Sequence, residues 1–291
     1  MTGARQQFYG QSALRSFARQ GILEGRVIKI NPALITITDG LISSTPPGVL
    51  QQQVEEQTHH LLAHGIRTFH VDLNFPDYSG FAQSKPDMNT AVFTPDFVEH
   101  LNRGVVSAGA FLNVHLLTDA PQQHLREYQH IKLGAICFQL DAVFEPRRLA
   151  ALVEQIRTMG ACPSPVIETV GSERLQPQAV GDVLKLLGPV LPHMGMLTFQ
   201  AAGTASRSDR PAATLATGLV RPYIESLQRE FAGTIQIQGG ITTGTVGQAV
   251  GLGAEFLVCG TQLFRNPEGL TPDQVIRAML QAAAETLGAS R

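Results

Sequence analysis

Two histidines and one aspartate stand near the ends of two neighbouring apolar segments. The first segment contains His70 and Asp72, and the second contains His115, each flanked by aliphatic or aromatic residues. In an extended strand alternate side chains share a face, so His70 and Asp72 point the same way. A buried histidine is more often a structural core residue. Three such groups at matching segment ends nevertheless favour a divalent-metal site for zinc, iron, manganese or cobalt.

Glycine-rich segments follow two further apolar runs near the carboxyl end of the chain. Gly239 and Gly240 follow one run, and Gly260 and Thr261 follow the next. Backbone N–H groups that no side chain shields can approach an anion closely, so the two segments together predict a phosphate site. Taken alone, a pair of glycines is often only a tight turn. Arg207 is a candidate additional contact to the anion, or alternatively a surface arginine.

Three further carboxylates are candidates for moving a proton. Glu168 ends an apolar run, while Asp39 and Asp77 lie in segments that follow two other runs. A base or acid must lie within hydrogen-bond reach of the proton that it moves, and the sequence does not establish this for any of them. All three are equally well explained as loop carboxylates in water.

Short apolar runs alternate with longer segments of helical periodicity, which is typical of βα units around a parallel sheet. The predicted strands are 27–37, 67–73, 110–116, 135–140, 165–169, 194–199, 234–238 and 255–259. The predicted helices are 47–64, 94–102, 121–132, 145–159, 177–187, 212–230, 243–251 and 272–286. This alternation predicts an α/β protein with a single (β/α)8 TIM barrel over residues 22–291, preceded by a short N-terminal extension over residues 1–21.

The barrel explains why the polar groups at strand ends matter. Active sites in such barrels lie at the carboxyl ends of the strands, and the loops after the last two strands often bind phosphate. His70, Asp72 and His115 are expected at that end. Several other histidines fall on predicted helices, and we interpret them, including His60 and His64, as solvated side chains.

Composition excludes several classes of partner. The 291 residues carry a net charge of -2, which leaves no basic stripe for nucleic acid. The longest apolar runs, such as 105–117, are too short to span a bilayer, and residues 1–21 do not resemble a secretory signal. Three scattered cysteines indicate reduced thiols. We therefore expect a cytoplasmic protein that does not bind membranes, and we expect it to form a homo-oligomer.

These residues resemble the ribulose-phosphate 3-epimerase family. That family pairs an opening Pro-Ser-Ile-Leu with His-Val-Asp on the second strand, Val-His-Leu on the third, Asp-Gly-Gly on the seventh and Gly-Ser on the eighth. The corresponding segments here are Asn31-Pro32-Ala33-Leu34-Ile35, His70-Val71-Asp72-Leu73, Val114-His115-Leu116, Gln238-Gly239-Gly240 and Gly260-Thr261. The five motifs keep the family's order, and the match runs over residues 27–280.

The resemblance implies a metal-assisted enzyme that acts on a ketose phosphate. In the family, two histidines and two aspartates hold a metal that polarises the substrate carbonyl and stabilises an enediolate, and the same aspartates exchange the proton at C3. It implies that His70, Asp72 and His115 are metal ligands and that Asp72 is also an acid or base. The implied phosphate-binding residues are Gly239, Gly240, Gly260 and Thr261.

Several positions depart from the family pattern. Gln238 replaces the seventh-strand aspartate, and an amide cannot exchange a proton near neutral pH, although its oxygen can bind a metal. Ala33 replaces the first-strand serine. The family's active-site methionines are replaced by Asn74, Leu117 and Leu197. The glycine-rich sixth loop of the family has become residues 200–207, which end at Arg207.

The sequence thus predicts a metal-dependent epimerase or isomerase for a small phosphorylated sugar that differs from a standard ribulose 5-phosphate 3-epimerase. Its candidate catalytic residues are Asp72, Gln238 and Glu168. An aldose–ketose isomerase is consistent with one surviving base, because that reaction needs one proton shuttle. The alternative is a catalytically silent relative that binds a phosphorylated sugar as a sensor or a structural subunit.

Overall fold

Eight parallel strands form the wall of a barrel in the computed structural model, which describes residues 22–23, 26–79, 89–170, 177–202, 215–266 and 268–288. The strands are β1 (Lys29–Pro32), β2 (Thr68–Asn74), β3 (Phe111–Leu117), β4 (Ala135–Gln139), β5 (Cys162–Glu168), β6 (Met196–Gln200), β7 (Thr234–Gln238) and β8 (Phe256–Cys259). Strands adjacent in sequence pair from β2 to β8, and β8 also pairs with β1. A bridge between Ala33 and His70 closes the ring, which confirms the predicted (β/α)8 barrel.

Helices on the outside connect the strands. They are α1 (Pro47–Ala63), α2 (Pro95–Ser107), α3 (Pro121–His124), α4 (Pro146–Thr158), α5 (Val180–Leu187), α6 (Thr217–Leu227), α7 (Val246–Gly251) and α8 (Pro272–Gly288). Their apolar faces pack on the outward side chains of the strands and form the main core. An antiparallel hairpin of Ile22–Leu23 and Arg26–Val27 precedes β1. The predicted N-terminal extension, residues 1–21, lies outside the described residues.

Local chemistry explains where the helices begin. Thr94 precedes the proline at the start of α2, and its hydroxyl accepts a hydrogen bond from the N–H of Phe97 at 3.3 Å. The Glu145 carboxylate accepts the N–H groups of Arg147 and Arg148, both at 3.1 Å, at the start of α4. These side chains satisfy N–H groups that have no partner within the helix.

The first predicted strand was too long. It was expected over residues 27–37, but β1 ends at Pro32 and Ile35–Thr38 forms a short helix. The alternation Ile-Thr-Ile-Thr has the period of a strand, which explains the error. The N–H of Leu34 bonds to the carbonyl of His70 at 2.9 Å, and the chain then turns into the helix at the barrel mouth.

The fifth strand and the third helix also differ from prediction in their bounds. The fifth strand was expected at 165–169, but β5 begins at Cys162. Pro163 and Pro165 cannot donate to the neighbouring strand, and β5 pairs with β6 only from Val166 onward. The third helix, expected over 121–132, shortens to α3 and a 3₁₀ turn over Leu125–Tyr128.

The structure gives one observation about the cysteines and one about membrane-spanning helices. All three cysteines are buried and unpaired. No helix within the described ranges is long and apolar enough to cross a bilayer.

Candidate metal centre and active site

β2 and β3 bring His70, Asp72 and His115 together inside the barrel. Asp72 and His115 are direct neighbours in the register of these strands. Asp72 Oδ1 lies 3.2 Å from His70 Nε2 and 2.8 Å from His115 Nδ1. Each imidazole therefore turns one nitrogen toward the same carboxylate oxygen.

The surroundings of this cluster favour an ionised Asp72 and a neutral His115. Both histidines are almost fully buried, whereas the Asp72 side chain is 17% exposed. Burial alone would raise the pKa of Asp72, but the charge of His70 and the hydrogen bonds of both imidazoles outweigh it and hold the pKa below its usual range. Burial lowers the pKa of His115 despite the opposing effect of Asp72. A carboxylate and a neutral imidazole are metal-binding forms.

The distances and donor types fit a divalent metal. A metal with bonds of about 2.1 Å in tetrahedral geometry separates its ligand atoms by about 3.4 Å. One ligand atom from each of His70, Asp72 and His115 lies within 4.8 Å of the others. Gln238 Oε1 is buried and has no hydrogen-bond partner among the described residues, so an oxygen ligand is available on β7.

A hydrogen-bonded layer lies below the cluster, toward the amino ends of the strands. Gln236 Oε1 accepts from Asn113 at 3.0 Å and from Asn31 at 3.4 Å. Gln236 Nε2 donates to Thr198 at 3.0 Å, and Thr198 bonds to Ser164 at 2.7 Å. The apolar cluster inside the barrel comprises Phe111, Ala135, Cys137, Cys162, Val166, Met196 and Phe256. Cross-barrel bonds thus fix β3, which carries His115, relative to β1 and β7.

Gln238, at the end of β7, is held in a defined orientation. Its Nε2 donates to Gln200 Oε1 at 2.6 Å, and Gln200 Nε2 donates to the carbonyl of Ala202 at 2.5 Å. The amide nitrogen of Gln238 is therefore occupied, and its oxygen is the group left to meet a ligand. The pairing of the two glutamines was not apparent from the sequence.

The predicted phosphate-binding glycines follow the adjacent strands β7 and β8. Gly239 and Gly240 have φ angles of 87° and 71°, which residues other than glycine rarely adopt. A Cβ atom on Gly260 would lie only 2.0 Å from Thr36 Oγ1, so packing also requires a glycine there. Thr261 begins a short helix, Thr261–Phe264. Arg207 lies outside the described residues.

The three carboxylates considered from the sequence have different surroundings. Glu168 is 1% exposed at the end of β5, and it accepts the N–H of Val170 at 3.4 Å. Asp39 pairs with Arg265 at 3.4 Å. Asp77 accepts the Thr118 hydroxyl at 2.8 Å and also pairs with His124. Asp39 and Asp77 thus have clear structural partners in their loops.

Asp141 was missed by the sequence analysis. It follows the end of β4 by two residues, and burial raises its pKa to about 6, with a smaller contribution from Asp119. Burial and the charges of Asp141, Glu168 and Asp119 raise the pKa of the buried Tyr78. The carboxylates therefore lie close enough to interact around Tyr78. The position of Asp141 just after a barrel strand was the available signal.

Comparison with known proteins gives one distant curated relative. The chain is 22% identical over 238 residues to the ribulose-phosphate 3-epimerase of Candida glabrata. The matched region covers 80% of this chain and 88% of the relative. No protein-family model matches. This similarity agrees with the resemblance in the motifs and suggests the same family.

Solved structures with the same fold have much lower sequence identity. The tryptophan synthase alpha subunit of Legionella pneumophila has a TM-score of 0.56 at 11% identity, over 96% of this chain and 97% of that chain. A truncated 3-deoxy-D-arabino-heptulosonate 7-phosphate synthase from Thermotoga maritima has a TM-score of 0.54 at 11% identity, over 92% of this chain and 89% of that chain. These similarities support the barrel fold alone.

Proposed function

We propose that this chain is a metal-dependent epimerase or isomerase that acts on a ketose phosphate or another sugar phosphate through an enediolate. The observation that carries the proposal is the buried cluster of His70, Asp72 and His115 at the carboxyl ends of β2 and β3. The similarity to a ribulose-phosphate 3-epimerase supports the substrate class. When bound by these residues, zinc, iron, manganese or cobalt would polarise the substrate carbonyl and stabilise the enediolate.

Asp72 is the proposed base on one face of the substrate. It is ionised and partly accessible, and both neighbouring imidazoles fix its orientation. Gln238 cannot accept or return a proton, so the two-aspartate exchange of the family lacks one partner. We therefore propose that the substrate or the reaction differs from that of a standard ribulose 5-phosphate 3-epimerase.

The phosphate of the substrate is proposed to bind at Gly239, Gly240, Gly260 and Thr261, with Arg207 as a further contact. A carboxylate introduced there should repel the ligand. Gly260→Asp should therefore lower the affinity for ribulose 5-phosphate by about tenfold or more, measured by calorimetry. Thr261→Asp should do the same with less disturbance, since Thr261 is exposed and carries no glycine constraint.

Gly48→Asp is the matched control for this prediction. Gly48 has open space around it in the first turn of α1, and the substitution adds the same charge at the same end of the barrel, but on an outer helix and not in the segments after β7 and β8. Its affinity for the ligand should stay unchanged. If Gly260→Asp and Thr261→Asp also bind normally, the phosphate lies elsewhere, and Arg207 becomes the first residue to test.

We propose Asp141, or Glu168, as the group that handles a second proton. If Asp141 has this role, Asp141→Asn should slow solvent-deuterium exchange into the substrate by about 10²-fold or more. The same substitution should make the folded protein more stable at neutral pH. A pKa raised to about 6 means that the native state holds the proton more tightly than the unfolded chain, so stability falls as the pH rises from about 4 to above 6.

Asp141→Asn should therefore stabilise the protein by about 1–3 kcal/mol at neutral pH and make little difference near pH 4, as measured by urea unfolding. Glu168→Gln is the comparison for the exchange rate. Loss of exchange in Glu168→Gln but not in Asp141→Asn would assign the role to Glu168. Full exchange in both variants would exclude both carboxylates.

A sugar-phosphate binder without activity is the second candidate. One observation favours it. The position at which the family has a catalytic aspartate is occupied by the amide of Gln238, which is hydrogen-bonded to Gln200. A panel of ketose and aldose phosphates in D2O, followed by proton NMR, separates the two. Exchange into any of them supports the enzyme, and tight binding without exchange supports the binder.

A further inference from the structure

A second cluster of potential metal ligands lies on the outer surface of the barrel. His60 is on α1, His64 directly follows the last residue of that helix, and Asp273 is in the first turn of α8. His60 Nε2 lies 3.2 Å from Asp273 Oδ1, and His64 Nε2 lies 4.0 Å from Asp273 Oδ2. Histidines four residues apart share one helix face, so both rings reach the same carboxylate.

The hydrogen bonds around this cluster orient its ligand atoms toward one another. His64 Nδ1 lies 2.8 Å from the backbone carbonyl of His60. A carbonyl only accepts, so Nδ1 carries the proton and Nε2 keeps its lone pair for a metal. The Thr271 hydroxyl donates to Asp273 Oδ1 at 2.6 Å and fixes the carboxylate. The bond from Thr271 is also the largest of the effects that lower the pKa of Asp273 to about 2.

We propose that His60, His64 and Asp273 form a second divalent-metal site, suited to zinc or another transition metal that prefers imidazole. Tetrahedral zinc separates its ligand atoms by about 3.4 Å. The distances from the two imidazoles to the two Asp273 oxygens lie on either side of that value, and one ligand atom from each of the three residues lies within 4.8 Å of the others. Three protein ligands leave the fourth position to water. Both imidazoles are about two-fifths exposed, so the ion can reach them from solvent.

The place of the site in the fold indicates a structural role. The carboxyl end of α1 leads into the start of β2, so the cluster lies at the end of the barrel opposite to Asp72. His60 and Asp273 are 213 residues apart in the chain. A metal between them ties the first helix of the barrel to the last, and it should raise the unfolding temperature because it binds the folded form.

Arg277 competes with the metal for the Asp273 carboxylate. Its Nη2 lies 2.8 Å from Asp273 Oδ2, and its side chain is 64% exposed. The Asp273 side chain is only 7% exposed, but the Arg277 guanidinium lies in water, which weakens the ion pair, so a metal can displace Arg277. Arg277→Gln should consequently bind zinc about twofold to fivefold more tightly than the parent protein.

The test is zinc binding to full-length protein stripped with a chelator, measured by calorimetry. His64→Ala should lose one equivalent of zinc relative to the parent, with affinity at this site falling by about 100-fold or more. The zinc-dependent rise in unfolding temperature should fall with it. His59→Ala is the matched control, because His59 is an exposed neighbour on the same helix and should keep the parent's stoichiometry.

The result that overturns the proposal is a His64→Ala protein that binds as many zinc equivalents as the parent, with the same affinity. This outcome is separate from the fate of the inner cluster. His115→Ala removes an inner ligand and should leave the His64-dependent equivalent unchanged. Either site can therefore fail its test while the other passes.

Discussion

His115→Ala is expected to lose the metal of the inner cluster while the barrel remains folded. His115 is one of three proposed protein ligands, and its removal leaves only His70 and Asp72, both on β2. Losing an oriented ligand should lower the affinity of this site for zinc by at least about 100-fold. Elemental analysis of the purified protein measures the metal content, and circular dichroism shows whether the barrel is folded.

The controls separate ligand loss from general damage. His130→Ala removes an exposed histidine that pairs with Glu99 on the surface, and it should keep the full metal content. His70→Gln tests the same cluster with a side chain that fills more of the space, in case the alanine variant does not fold. A folded His115→Ala protein with its full metal complement would contradict the site as described.

The second large effect is expected at Gln238. Wild-type protein should show little or no epimerisation of ribulose 5-phosphate, because a missing acid or base typically costs about 10²–10⁴ in rate. Gln238→Asp should raise epimerisation, or at least deuterium uptake at C3. The new carboxylate can exchange a proton and adds an anionic ligand for the metal.

Gln238→Asn is the matched control, since asparagine has the shape of aspartate without its acidity. The Gln238→Asn variant should epimerise ribulose 5-phosphate at the wild-type rate. A faster rate in both variants would mean that the shorter side chain, and not the new carboxylate, causes the gain. Both substitutions also break the bond to Gln200, which makes the comparison between them the informative one. A wild type that epimerises ribulose 5-phosphate rapidly would contradict this account, because it would mean that Glu168 or Asp141 serves that substrate as fully as the family's second aspartate does.

The sequence was sufficient for the barrel and for the inner cluster. Both follow from local patterns, because alternation along β2 places His70 and Asp72 on one face and adjacency of β2 and β3 brings in His115. The end of β1 was mispredicted because the alternation of Ile and Thr over Ile35–Thr38 has the period of a strand although the segment is helical.

Long-range contacts were beyond the reach of these patterns. The bond between Gln200 and Gln238 depends on the register that makes these residues neighbours on β6 and β7, and the raised pKa of Asp141 depends on its burial. His60 and His64 were interpreted as solvated helical side chains, yet both lie beside Asp273 on the last helix. No periodicity in the sequence indicates that α1 and α8 meet at those residues.

The most direct test of the proposed activity is metal-dependent proton exchange. Protein stripped with a chelator, then reloaded with zinc, manganese, iron or cobalt, is incubated with sugar phosphates in D2O and followed by proton NMR. We expect exchange at a carbon next to the substrate carbonyl in the reloaded protein, and none in stripped protein or in reloaded His115→Ala. Exchange that is equally fast without metal, or a metal-loaded protein that binds sugar phosphates without exchanging any proton, would contradict the account.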